Sequence, residues 1–164
     1  NLSNILSAAC IGRFYGVMDE DIVAALSEYT PTNNRSQCTR TERNTLIVDA
    51  YNANPTSMEA AIKNFSKIET SDKKVLILGD MKELGEDSVA EHIKVLNQIK
   101  SLGFTECYFV GSEFAKVAPS LGFTQCFSDV DLLAEYLQSD PISNSTIMIK
   151  GSNSTKLTKI VPSL

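Results

Sequence analysis

The sequence predicts an α/β fold: a three-layer α/β/α, Rossmann-like domain. Its sheet is mostly parallel with one antiparallel edge strand, and a short helical segment precedes it. Three observations predict this. From residue 45 onward, short β-branched runs alternate with stretches of helical periodicity, the pattern of βαβ units. The connections between them are short, as in a compact domain. The first 30 residues show helical spacing only. Right-handed crossovers between parallel strands then place helices on both faces of the sheet.

The helical segment comes first. Ser3 or Asn4 can cap a helix whose apolar positions Ile5, Leu6, Ala9, Cys10 and Phe14 recur at helical spacing, and Gly16 is its expected stop. A second helix carries Ile22, Val23, Leu26 and Tyr29 on one face and ends at Pro31. Two helices this short bury too little apolar surface to stand alone. They are expected to dock on the rest of the chain or on something outside it. The domain boundary is therefore placed between residues 1–31 and 32–164.

Residues 36–41 are polar and extended, an edge strand. Further strands are expected at 45–50, 74–78, 107–110, 125–127 and 145–149, and helices at 57–68, 88–102, 112–118, 130–137 and 153–161. Met58, Ala61, Ile62, Phe65 and Ile68 line one face of the 57–68 helix, and Val89, Ile93, Leu96 and Ile99 one face of the 88–102 helix. Thr56-x-x-Glu59 and Ser88-x-x-Glu91 read as capping boxes at their starts.

Composition bounds the function. The 164 residues are 43% hydrophobic and carry a net charge of −5, which supplies a core and argues against nucleic acid, whose binders usually present a basic stripe. No apolar run reaches the roughly 18–20 residues that span a bilayer, and no signal peptide is visible, so a cytoplasmic protein is expected. Cys10, Cys38, Cys107 and Cys126 show no zinc-type spacing, and the single His92 does not complete a metal site with them. They are read as reduced, packed thiols, and no metal site is expected within this chain.

Three strands end in polar turns: 49–54, 79–85 and 150–153. In a parallel sheet all three fall on one edge, where open α/β sheets bind ligands. Asp49, Tyr51, Asn52 and Asn54 cluster in the first turn. Lys150, at the end of an apolar strand beside Gly151 and Ser152, is placed to hold an anion as a point charge. Arg35 and Glu83 sit in polar segments and read equally well as surface residues, and His92 as a packing residue on or half within a helix face. Neither G-x-x-x-x-G-K-[ST] nor a strand-borne G-x-G-x-x-G occurs, so this chain holds no nucleotide through those devices. Nor does Ser152 sit in a G-x-S-x-G elbow.

VDAYNANPTSMEAAI (48–62), LILGDMKELGEDS (76–88) with His92, and IMIKGSNS (147–154), in this order and spacing, resemble the C-terminal domain of the Mur ligases. The N-terminal stretch resembles the tail of their central ATPase domain running into that C-terminal domain, so residues 1–31 would be that tail. The resemblance implies a three-domain enzyme that uses ATP and Mg2+, bound mainly by the central domain, to phosphorylate the carboxylate of UDP-N-acetylmuramoyl-tripeptide. The amine of D-alanyl-D-alanine then attacks the acyl phosphate. It implies contacts from Asn4, Arg35 and Asp49 to the nucleotide, and from Tyr51, Asn52, Asn54, Lys150, Gly151 and Ser152 to substrate, with no catalytic residue wholly within this chain. The upstream domains of the same polypeptide would be its partners, with neither nucleic acid nor membrane bound. A monomer that is inactive as a fragment is expected. A stand-alone Rossmann-like module that binds a small anion without catalysis is the alternative, and the helical pair at the N-terminus speaks against it. A receiver-like or flavodoxin-like domain lacks its acidic pocket or flavin loop here.

Overall fold

The structure is a computed structural model and describes residues 2–29 and 37–164. Arg35, Pro31 and the first residue of the expected edge strand lie outside the described residues. The chain divides into two compact units, 1–31 and 32–164.

The first unit contains α1 (Leu2–Phe14) and α2 (Asp19–Glu28). Asn4 lies inside α1 and does not cap it. Gly16 follows that helix at φ +79°, the conformation of a helix stop. The helices approach closely at Gly12, where a Cβ would stand 3.0 Å from Ile22 Cδ1. Arg13 pairs with Asp19 at 3.1 Å, and Asp19, Glu20 and Asp21 fill the first turn of α2, where the helix dipole favours negative charge.

The second unit is a six-stranded sheet in the order β1-β2-β6-β3-β4-β5. The strands are β1 (Gln37–Arg40), β2 (Asn44–Asp49), β3 (Lys73–Gly79), β4 (Glu106–Val110), β5 (Cys126–Phe127) and β6 (Ser145–Lys150). Only the β1–β2 pair is antiparallel. The helices are α3 (Pro55–Ser66), α4 (Ser88–Ser101), α5 (Ser112–Val117) and α6 (Val130–Ser139).

Strand alternation divides the apolar residues between two cores. Leu46, Val75, Ile77, Tyr108 and Ile147 pack with Leu133 and Leu137 of α6 and with Leu157 and Ile160 near the C-terminus. Leu76, Leu78, Phe109 and Met148 pack with Ile62, Leu96 and Phe114 of α3, α4 and α5. Every residue of β6 is buried, as expected of a parallel strand covered on both faces. The three-layer α/β/α architecture therefore stands.

Several local expectations do not. The α3 cap is Asn54, two residues before the expected box. Its Oδ1 accepts from Ser57 N–H at 2.8 Å, and Ser57 Oγ accepts from Asn54 N–H at 3.1 Å. Pro55 decides this, since proline fits the first helical position, where no N–H is needed. The Ser88 box does not form. A 3-10 turn, Gly85–Asp87, leads into α4, and Ser88 Oγ donates instead to Glu113 Oε2 at 2.9 Å. Val89, expected inward, is exposed, and His92 is buried in its stead. The expected last helix is two 3-10 segments, Asn153–Thr155 and Leu157–Ser163, divided by Lys156 at φ +54° and carrying Pro162, which cannot donate to a helical ladder. Cys107 is buried, and that burial with nearby Glu106 pushes its thiol pKa up to about 12. Cys126 is half-buried, whereas Cys10 and Cys38 are exposed, contrary to the expectation of packed thiols. No helix among the described residues is long and apolar enough to cross a membrane.

Asn44, buried at the start of β2, ties the far edge together. Its Nδ2 donates to Ile142 O at 2.8 Å and Leu164 O at 2.5 Å, and its Oδ1 accepts from Ser145 N–H at 3.1 Å. Thr41 Oγ1 also donates to Leu164 O, at 3.0 Å. Asn44→Ala strips three backbone groups of a buried partner and should cost about 2–3 kcal/mol in urea unfolding, against less than about 0.5 kcal/mol for exposed Glu42→Ala. Equal midpoints for the two variants would refute this anchor.

Candidate functional site

β2, β6 and β3 are parallel neighbours, so their carboxyl ends lie side by side. Asp49 pairs in register with Lys150, and Leu78 with Lys150 on the other side. The 49–54, 79–85 and 150–153 turns therefore share one rim, as the strand pattern predicted.

The second and third turns are in intimate contact because two glycines meet there. A Cβ on Gly151 would stand 2.8 Å from Gly79 Cα, and one on Gly79 would stand 2.6 Å from Thr155 Oγ1. The approach lets Ser152 N–H donate to Asp80 O at 3.2 Å and Lys82 N–H donate to Ser152 Oγ at 3.2 Å. Gly151 and Ser152 thus have structural work in the rim itself.

In the first turn, Lys150 is 2% exposed. Its Nζ donates to Asp49 Oδ2 at 2.5 Å and to Asn52 O at 3.3 Å. A buried ammonium requires such a partner. The open anion grip expected of Lys150 is therefore taken up by Asp49. The Asp49 side chain keeps 25% of its surface accessible. Tyr51 and Asn52 are exposed beside it, and Asn54, also exposed, is engaged in capping α3. Asn4 belongs to the first unit, and Arg35 lies outside the described residues.

The second turn is organised by Asp80, which is fully buried. Its two carboxylate oxygens accept from backbone N–H groups in the first turn of α5, Glu113 at 3.1 Å and Phe114 at 3.0 Å. Lys82 Nζ donates to Oδ2 at 3.2 Å. Gly111, at φ +122°, faces this carboxylate so closely that a Cβ would stand 2.3 Å from Asp80 Cγ, so the position combines a left-handed backbone with no room for a side chain. His92 is fully buried and not the half-exposed packing residue expected. Its Nε2 accepts from Met81 N–H at 3.2 Å, which makes Nδ1 the protonated nitrogen that donates to Ser88 O at 2.7 Å. The imidazole also stands edge-on to Phe114, 4.6 Å between centroids. It props the turn from beneath.

A cavity of about 450 Å³ opens between this turn, the turn after β6 and the start of α6, with Asp80, Lys82, Gly111, Asp129 and Lys156 among its walls. Asp129 is engaged as the α6 cap through the Asp131 and Leu132 N–H groups. Those bonds, the Leu132 one foremost, hold its carboxyl below the usual range. Lys159 pairs with Asp131. Lys156 makes no ion pair among the described residues and remains available. Sequence reasoning missed Asp80, Lys82 and Lys156. The signal for Asp80 was present, since it follows an apolar strand as Asp49 does. Among the described residues no three His, Cys, Asp or Glu gather to hold a metal ion.

Glu113, at the start of α5, accepts hydrogen bonds from Lys116 and Ser88. The Lys116 ammonium and the Ser88 hydroxyl lower its carboxyl from 4.5 to about 2. A lowered folded-state value means that the stabilisation is fully present above pH 4.5 and is lost as pH falls toward about 2. Glu113→Gln should therefore lose less stability than the parent chain across that interval. Parallel stability curves for the two would contradict the assignment.

Residues 34–153 match the Mur ligase family through its glutamate ligase domain. The whole chain aligns with 36% of the UDP-N-acetylmuramoyl-tripeptide–D-alanyl-D-alanine ligase of Buchnera aphidicola subsp. Baizongia pistaciae, at 34% identity over 167 residues. A crystal structure of MurF from Acinetobacter baumannii covers 99% of this chain with 36% of its own, at a TM-score of 0.77 and 26% identity. MurF ligase from Thermotoga maritima, solved in complex with ADP, also gives a TM-score of 0.77 over 99% of this chain and 37% of that one, and at 19% identity it shows likeness of fold alone. The chain spans about a third of the length of the curated relatives it matches, 36% in the Buchnera case.

Proposed function

Because this chain belongs to the Mur ligase family, we propose that it is the C-terminal part of an ATP-dependent ligase that joins D-alanyl-D-alanine to UDP-N-acetylmuramoyl-tripeptide through an acyl phosphate. Residues 32–164 would be the C-terminal domain and residues 1–31 the tail of the central ATPase domain. The observation that carries the reading is the shared rim: the three motifs that resemble this family are the three strand-end turns that meet there.

The rim suits a supporting half-site. Acyl-phosphate chemistry calls for positioning and for neutralised charge, and not for a protein nucleophile. Asp49, held by one oxygen and accessible at its other edge, fits a hydroxyl donor such as a nucleotide ribose. Tyr51 and Asn52 stand exposed beside it. The cavity beside Lys82 and Lys156 offers ammonium groups to a dipeptide carboxylate. Asn4 and Arg35 would complete the nucleotide contacts from the upstream side. Mg2+ would be held mainly by the central domain, as the resemblance implies. The reaction would take place in the cytoplasm, on soluble precursors, by a monomer.

Two measurements test this reading. In the full-length enzyme, Asp49→Asn and Arg35→Ala should each lower kcat/KM at least about tenfold, which is roughly 1.4 kcal/mol of transition-state stabilisation. The 164-residue chain alone should turn over no ATP. Variants within about twofold of the parent, or clean ATP turnover by this chain, would overturn it.

A further inference from the structure

We propose that Lys150 is a positioning residue that acts through Asp49 and the Asn52 carbonyl and does not itself touch substrate. The proposal rests on reading this rim as the site, and it reassigns one residue within it.

Lys150 ends β6, whose six residues are all buried, and only 2% of its own surface is accessible. An ammonium at that depth does not reach a ligand in the cleft. It has three N–H donors and no acceptor. One reaches Asp49 Oδ2 at 2.5 Å and another the Asn52 carbonyl at 3.3 Å. The two acceptors lie at either end of the first half of the 49–54 turn. One side chain thus fixes both the carboxylate that leaves β2 and the backbone three residues on. The exposed Tyr51 is carried between these two points, and the exposed Asn52 on the second of them.

The division of labour follows from burial. Lys150 occupies one oxygen of Asp49, while Oδ1 has no hydrogen bond among the described residues and the side chain remains 25% accessible. The buried cation sets the orientation of a carboxylate whose other oxygen is open. A direct grip on an anion would require Lys150 to leave its buried position, and with it the Asp49 carboxylate that its charge offsets there.

The test is a double-mutant cycle in the full-length enzyme: Lys150→Met, Asp49→Asn and the pair, with kcat and the KM values for ATP and D-alanyl-D-alanine measured separately beside the unfolding midpoint. If Lys150 works through Asp49, Lys150→Met moves the same kinetic constant as Asp49→Asn, in the same direction, and the double variant is no worse than about twofold below the poorer single. Effects that multiply would overturn the proposal. So would a lowered unfolding midpoint with unchanged kinetics, which marks a purely structural lysine. Lys150→Gln replaces Lys150→Met in the cycle if the latter does not fold. If Asp49→Asn moves the KM for the dipeptide and not that for ATP, the nucleotide reading of Asp49 fails while the coupling still stands. A second readout needs no variant. Acetic anhydride should leave Lys150 of the full-length enzyme unmodified with or without ATP and dipeptide, whereas modification that either ligand suppresses would show direct contact and overturn the proposal.

Discussion

Two strand ends, at Gly79 of β3 and Gly151 just beyond β6, run so close that a Cβ on Gly151 would stand 2.8 Å from Gly79 Cα, and the rest of the rim depends on that approach. It brings Ser152 N–H onto Asp80 O and Ser152 Oγ under Lys82 N–H. It also places Lys150, one residue earlier, between Leu78 and Asp49 in the ladder. A side chain at Gly151 would press on the Gly79 backbone and part β3 from the end of β6 where the sheet is most central, and one at Gly79 would press on Thr155 and Leu157. The polar turns would then be separate loops and not one surface.

Charge on this rim is settled before any ligand arrives. Asp49 is met by Lys150, and Asp80 by Lys82 together with the Glu113 and Phe114 N–H groups in the first turn of α5. Such pairs are expensive to bury, and apolar residues of similar volume often serve stability as well or better. Stability alone therefore does not account for them. Fixed dipoles and ions that need no rearrangement when charge develops are what a phosphoryl- or acyl-transfer site requires. Behind them, His92 and Phe114 form a neutral, close-packed backing, with the imidazole held by Met81 N–H and Ser88 O.

The layered sheet was readable in the sequence because its signal is periodic. Short apolar runs such as 74–78 and 145–149 recur between stretches of helical spacing, and the turn residues mark where they stop. The location of the site followed from the same rule, since parallel strands put all their carboxyl ends on one edge. What escaped depends on contacts between distant segments. Ser88 has the sequence of a cap, but Glu113, remote in the chain, competes for its hydroxyl. Asn54 also caps α3, a part that Pro55 assigns it and that the polar turn pattern does not announce. Lys150 looked like a free cation because its partner lies 101 residues away. The role of Asp80, within the 79–85 turn, is not legible because it comes from α5, whose amide groups no local pattern reveals.

On the proposed function, ligands of the whole enzyme would meet this domain at the rim built by β2, β6 and β3 and nowhere else on the sheet. Hydrogen–deuterium exchange of the full-length enzyme, with and without ADP plus D-alanyl-D-alanine, tests that directly. Slowed exchange confined to residues 49–54, 80–85 and 150–156 is the expected result. Protection instead at the opposite rim, around the cavity of about 440 Å³ lined by Asp72, Lys73 and Gly103, with the three turns unchanged, would contradict it.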